Sequence, residues 1–223
     1  MVELISGLRT AAIHERLERV REQVTAAALR SGRDGDAVEI LAATKYVAVD
    51  ELPKLAQAGI TLVGENRAQA LQAKVAAHGE LFEWDFIGQL QSRRVRLIVP
   101  HVRLIHSLAS ESALHELRRH RELARPDMRV LIEVNVARDP GKAGVLPEQL
   151  DEFIERSPIP VAGLMTMPPL AQDPQDSRRW FAALRELAAA RGLSRLSMGT
   201  TQDHIVAVEE GATIVRIGTK LYA

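Results

Sequence analysis

Eight short β-rich runs recur along this chain, and each but the last is trailed by a stretch of helical periodicity. The runs are "VEILAAT" (38–44), "GITLV" (59–63), "WDFIG" (84–88), "VRLIHS" (102–107), "RVLIEVNV" (129–136), "IPVAGLM" (159–165), "RLSMG" (195–199) and "ATIVRIG" (212–218). Between them lie segments such as "NRAQALQAKVAAHG", "ESALHELRRHREL" and "DSRRWFAALRELAAARG", whose apolar residues return at helical spacing. This alternation leaves two architectures, a (β/α)8 barrel or a large doubly wound sheet. The count of eight favours the barrel, and so does the lack of G-x-G-x-x-G after the first run. The expectation is a single-domain α/β TIM barrel over residues 1–223, with the barrel itself from about residue 38 onward. A helix over about residues 10–30 precedes it, where Ile13, Leu17, Val20 and Val24 share a face and "SGRDGD" stops the element. No linker divides the chain, and "TMPPLAQDPQD" (166–176) reads as a loop after the sixth strand.

Composition narrows the function classes. Hydrophobic residues make up 46% of the chain and aromatics 4%, so the core is built of Leu, Val, Ile and Ala, which suits repeated layers of strands and helices. Lys plus Arg equals Asp plus Glu at 29 each, giving no general electrostatic case for nucleic acid or an anionic membrane. Clusters such as "QSRRVR" and "ELRRHRELAR" read as outer helix faces. The absence of cysteine removes disulfides, thiolate zinc sites and cysteine nucleophiles. The seven histidines show no metal-ligand spacing, so no metal is expected. The first residues carry acids rather than a basic leader and apolar core, and no run is long enough to span a bilayer, so the expected location is the cytoplasm.

In a barrel, the loops at the carboxyl ends of the strands build the site. On this chain those positions are Lys45; Gly64, Glu65 and Asn66; Gly88, Gln89, Leu90 and Gln91; Ser107; Asn135; Met165, Thr166 and Met167; Ser197, Met198 and Gly199; and Arg216, Gly218 and Thr219. One lysine stands among small polar residues. Phosphate sites of barrels commonly follow strands seven and eight, where "SMGT" and "RIGT" stand here. Lysine is the side chain that forms a Schiff base with a carbonyl. Pyridoxal 5′-phosphate carries both an aldehyde and a phosphate.

The ordered motifs "AATK", "VGEN", "DFIGQLQSRR", "VNVARDPGKAG", "GLMTM", "LSMGTTQD" and "VRIGT" resemble those of the pyridoxal phosphate homeostasis protein family, also known as proline synthase co-transcribed homologues. The resemblance implies a barrel like the N-terminal domain of alanine racemase, with pyridoxal 5′-phosphate held as an aldimine. It implies Lys45 as the Schiff-base lysine, Ser197, Gly218 and Thr219 at the phosphate, Met198 and Gly199 on the same wall, and Asn66 near the ring or its lysine. Arg216 matches an arginine that faces the pyridine nitrogen, where a permanent cation disfavours protonation and weakens the ring as an electron sink. The chain departs from the family pattern at Asp85, where a histidine is usual, at Arg93 and Arg94, and at Thr200 and Thr201 in place of "MS".

Taken singly, these residues have other readings. Gly199 and Gly218 suit turns, Arg216 suits an inward layer residue paired with an acid, and Asn66 suits a helix cap. Met165 and Met167 suit packing. The resemblance implies a carrier and regulator of pyridoxal phosphate in amino-acid and keto-acid balance, with apoenzymes as recipients. The chain stops at "RIGTKLYA", without the second domain that supplies alanine racemase with a tyrosine acid/base, and a monomer is expected. The alternative is a small amino-acid racemase using Lys45 with His106 or a tyrosine as second proton carrier.

Overall fold

A computed structural model describes residues 4–222, and in it the alternation closes on itself. The strands are β1 (Glu39–Ala43), β2 (Leu62–Glu65), β3 (Glu83–Phe86), β4 (Leu104–Leu108), β5 (Arg129–Glu133), β6 (Val161–Met165), β7 (Arg195–Thr200) and β8 (Ile214–Ile217). They pair in chain order, all parallel, and β8 pairs with β1 through Leu41 opposite Arg216. Each expected strand is present with its ends displaced: most are shorter than the run that marked them, β2 and β4 are shifted toward the C-terminus, β3 starts one residue earlier and β7 runs one residue further. Parallel strands covered on both faces read as unbroken apolar runs, and β2 and β4 are buried along their whole length.

Helix α1 (Thr10–Arg30) precedes the barrel. Ile13, Leu17, Val20, Val24, Ala27 and Ala28 form its buried stripe, with spacing that returns to one face every turn. It packs on α8 (His204–Glu209), which follows β7, and Arg30 pairs with Glu209 at 2.7 Å. The remaining crossovers carry α2 (Leu52–Gln57), α3 (Ala68–His78), α4 (Val95–Ile98), α5 (Glu111–Arg119), α6 (Leu150–Glu155) and α7 (Arg178–Ala189). The last strand is also followed by helix, one turn of α9 (Thr219–Tyr222), too short to register as a periodicity.

Two apolar layers hold the fold. The larger lies between strands and helices; the smaller fills the barrel with Leu41, Leu62, Leu104, Leu131, Met165 and Ile214. Burying one such leucine contributes roughly 2–3 kcal/mol, so the inner layer is a substantial anchor for strand closure. Beneath it, at the amino ends of the strands, Arg103 donates to Glu39 at 2.7 Å and to Asp85 at 2.9 Å, and Arg195 donates to Glu39 at 2.7 Å. Burial alone would pull the Arg103 guanidinium down, but the Glu39 and Asp85 carboxylates outweigh it and hold Arg103 charged.

Candidate functional site

Lys45 leaves β1 in a tight turn, closed by the Val47 N–H donating to the Thr44 carbonyl at 2.8 Å. The turn is held from below. Lys74, on α3, donates to that same Thr44 carbonyl at 2.7 Å and to Glu65 Oε2 at 2.5 Å, and both charged side chains are buried. Glu65 in turn accepts from the Asn66 N–H at 2.7 Å, so one buried ion pair ties together the ends of β1 and β2. Lys45 itself is half-buried, with Nζ 4.6 Å from the centre of the Tyr46 ring. Among the described residues it makes no ion pair, which leaves its amine available.

The ends of β7 and β8 lie beside this turn, β8 being the barrel neighbour of β1. Gly199 has φ of 89°, and a Cβ there would lie 2.5 Å from Ala207 Cβ, so only glycine lets α8 sit this close to the strand. The chain then turns: the Thr200 N–H donates to Asp203 Oδ1 at 2.7 Å. That turn brings the Thr201 hydroxyl to accept from the Gly218 N–H at 3.2 Å. Gly218 needs no unusual backbone; a Cβ on it would meet only Ala43 Cβ, at 3.8 Å. Beside it, Arg16, Arg19, Thr201, Thr219 and Lys220 line a recess of about 380 Å³. Two hydroxyls and three cations are a donor set that fits a phosphate, although Arg19 also pairs with Glu15 and Lys220 also donates to Gln23.

Several expected residues land elsewhere. Ser197 does not reach this recess. It is fully buried inside the barrel, where its hydroxyl lies 2.5 Å from Arg216 Nη1 and 2.8 Å from His106 Nδ1. The hydroxyl at the recess is that of Thr201, four residues further along. Met198 points outward into the strand–helix layer and shapes no wall of the opening. Gly199 serves the approach of α8, in keeping with its turn reading. Met165 packs within the barrel, whereas the Met167 sulfur lies 2.8 Å from Arg216 Nη2.

Arg216 is an inward layer residue, but among the described residues it has no direct acid partner. Its guanidinium donates to the Ser197 carbonyl at 2.9 Å and to the Thr166 carbonyl at 3.1 Å. Burial draws its pKa down to about 10, opposed at longer range by Asp203 and Glu133, and it stays cationic at neutral pH. Asn66 caps nothing: α3 starts without a side-chain cap, and the buried Asn66 Oδ1 has no hydrogen-bond partner. A buried orphan acceptor beside the Lys45 turn is a group awaiting a donor.

The sequence alone pointed neither to Lys74 nor to Glu133, and marked Thr201 only as a departure from the family pattern. Lys74 was hidden in a helical pattern, though a lysine on the inner face of α3 signals a buried acid partner. Glu133 ends β5 on the inner face, nearly buried, and burial raises its pKa with only the distant Arg216 opposing. Asp85, noted only as a departure, is fully buried; its Oδ2 lies 3.1 Å from His106 Nε2. No three His, Cys, Asp or Glu side chains gather as a metal site among the described residues, and no described helix is long and apolar enough to cross a membrane.

Residues 9–223 match the family model described as "Alanine racemase, N-terminal domain". A pyridoxal phosphate homeostasis protein of Aquifex aeolicus is 40% identical over 219 residues, covering 93% of this chain and 96% of its own. That of Escherichia coli K12 is 31% identical over 225 residues, covering 94% and 95%. Among solved structures, PipY of Synechococcus elongatus with PLP bound is 31% identical with a TM-score of 0.80, covering 95% of this chain and 100% of that one. Alanine racemase of Bartonella henselae, with covalently bound pyridoxal phosphate, is 14% identical with a TM-score of 0.70; 96% of this chain matches 59% of that one, a likeness of fold alone.

Proposed function

This chain belongs to the pyridoxal phosphate homeostasis proteins, within the alanine racemase N-terminal domain family, and from that membership we propose that it binds pyridoxal 5′-phosphate through Lys45 and carries or buffers it in vitamin B6 and amino-acid homeostasis. One observation carries the reading. An uncommitted lysine at the end of β1 stands next in the barrel to β8, whose Gly218 leaves space open above Ala43, two residues before that lysine. Pyridoxal 5′-phosphate supplies an aldehyde that condenses with a primary amine and a phosphate that anchors the other end of the ring. Lys45 provides the amine. Thr201, Gly218 and Thr219 provide the phosphate cradle, with Arg16, Arg19 and Lys220 at its edge. Asn66 offers its unpaired Oδ1 to the ligand.

Arg216 is the residue that restrains the chemistry. A fixed cation facing the pyridine nitrogen disfavours a proton there, and so limits the stabilisation of negative charge at carbon. The racemase alternative needs a second proton carrier beside Lys45. His106 has both ring nitrogens engaged inside the barrel, and Tyr222 is buried, its phenol pushed above its usual range first by burial and then by Glu65. Tyr46 lies against Lys45 itself. Carriage is therefore the reading favoured over turnover, in the cytoplasm, as a monomer, with apoenzymes as recipients.

Titration with pyridoxal 5′-phosphate is expected to raise a saturable visible absorption band. Lys45→Ala should abolish it, and Thr201→Ala should weaken affinity about tenfold, the effect of one lost hydrogen bond to a charged group. Incubating the loaded protein with single amino-acid enantiomers in deuterated water should give no inversion above that of free cofactor. Inversion with deuterium at Cα, abolished by Lys45→Ala, would establish the racemase instead.

A further inference from the structure

Five side chains form one continuous polar line through the otherwise apolar barrel. Arg103 donates to Asp85 at 2.9 Å; Asp85 lies 3.1 Å from His106 Nε2; His106 Nδ1 lies 2.8 Å from the Ser197 hydroxyl; and that hydroxyl lies 2.5 Å from Arg216 Nη1. Asp85, His106 and Ser197 are fully buried, so water satisfies none of them. We propose that Asp85, His106 and Ser197 are positioning residues that aim the Arg216 guanidinium into the barrel mouth, through a hydrogen-bond chain whose direction is fixed at both ends. The proposal rests on the reading that Arg216 faces the ring nitrogen of pyridoxal 5′-phosphate.

The direction follows by elimination. A guanidinium only donates, so the Ser197 oxygen accepts from Arg216. The single hydroxyl proton of Ser197 then has one acceptor in line, His106 Nδ1, which must be unprotonated. The imidazole proton sits on Nε2 and is donated to Asp85, whose carboxylate also accepts from Arg103. Each donor has an acceptor; reversing the His106–Asp85 link sets two acceptors face to face, and reversing the Ser197–His106 link leaves the buried hydroxyl proton without the acceptor in line with it, and both are costly in a buried site. Burial itself lowers the His106 pKa, with Asp85 opposing, in keeping with a neutral ring. The acid at position 85 is what holds this tautomer: an amide would turn its NH2 from the Arg103 cation toward His106 and force the proton onto Nδ1.

Two measurements test this. In ligand-free protein, nitrogen NMR of His106 should show the neutral Nε2–H form at neutral pH, and Asp85→Asn should switch it to Nδ1–H. In pyridoxal 5′-phosphate-loaded protein, Ser197→Ala should weaken cofactor affinity about tenfold and shift the visible band, because Arg216 loses a charged hydrogen bond that aims it. Borohydride labelling should still fall on Lys45. An Nδ1–H or charged His106 in the native protein overturns the proposal whether or not the cofactor binds or Asp85→Asn folds. So does Ser197→Ala with native affinity and band position. A protein that takes up no pyridoxal 5′-phosphate overturns the cofactor reading instead, and the His106 tautomer still decides the chain.

Discussion

Lys45 shows what a single residue reveals before its neighbours are known. Its place after an apolar run marked a strand end, and the barrel then made it the lysine of the mouth. Ser197 shows the opposite case. Ser197 sits on the inner face of β7, but Thr201 lies four residues further on, beyond the end of the strand and past Gly199, whose positive φ breaks the alternation and sets it against α8. Face was legible from alternation; depth depends on where the strand ends, which the "SMGTT" run leaves open. Met198 follows from the same period of two, which sends it outward. Glu133 was illegible because an acid within "LIEVN" looks like any strand residue until closure buries it. Its raised pKa means that ionisation costs more in the folded state than in the unfolded chain, so above both values the carboxylate destabilises the fold. Glu133→Gln should therefore stabilise the protein against urea at pH 7.5. That gain should shrink as pH falls through the folded-state value, where the native side chain is itself protonated; a gain independent of pH would count against a buried, unpaired carboxylate.

At the scale of elements, every strand was visible because its apolar run is covered by barrel interior on one face and helices on the other. The crossovers were less uniform. The one-turn α9 has no period to detect, and the β1 end depends on a partner nine residues beyond Glu65 on another element. The Lys74–Glu65 pair fixes the Thr44 carbonyl and hence the turn that presents Lys45. Lys74→Met leaves Glu65 buried without its cation, a loss expected at about 3–5 kcal/mol in chemical denaturation, and it should loosen cofactor binding as well. The double variant Lys74→Met with Glu65→Gln should recover much of the stability because no charge remains buried. If the single variant is as stable as the native protein, the pair is not what holds the turn.

Across the whole molecule, the fold pairs a dry inner layer with polar chemistry below and above it, joined by the Asp85–His106–Ser197 line. Buried histidines make this arrangement sensitive to acid. His106 is lowered by burial first, and His204 by burial and then by Lys220. An unfolded chain takes up those protons below about pH 6.5 while the folded one resists them, so stability is full above that value and is lost as pH falls through it. Glu133, with its raised pKa, offsets part of this at lower pH. Urea midpoints from pH 8 to 5.5 should fall on the acid side; a flat profile would mean the histidines are not held neutral.

The covalent role of Lys45 is open to direct observation. After loading with pyridoxal 5′-phosphate and reduction with borohydride, peptide mass mapping should find the label on the peptide that contains Lys45. A label on Lys54, Lys74, Lys142 or Lys220 instead, or no label at all, would contradict a barrel built around a lysine at the end of its first strand.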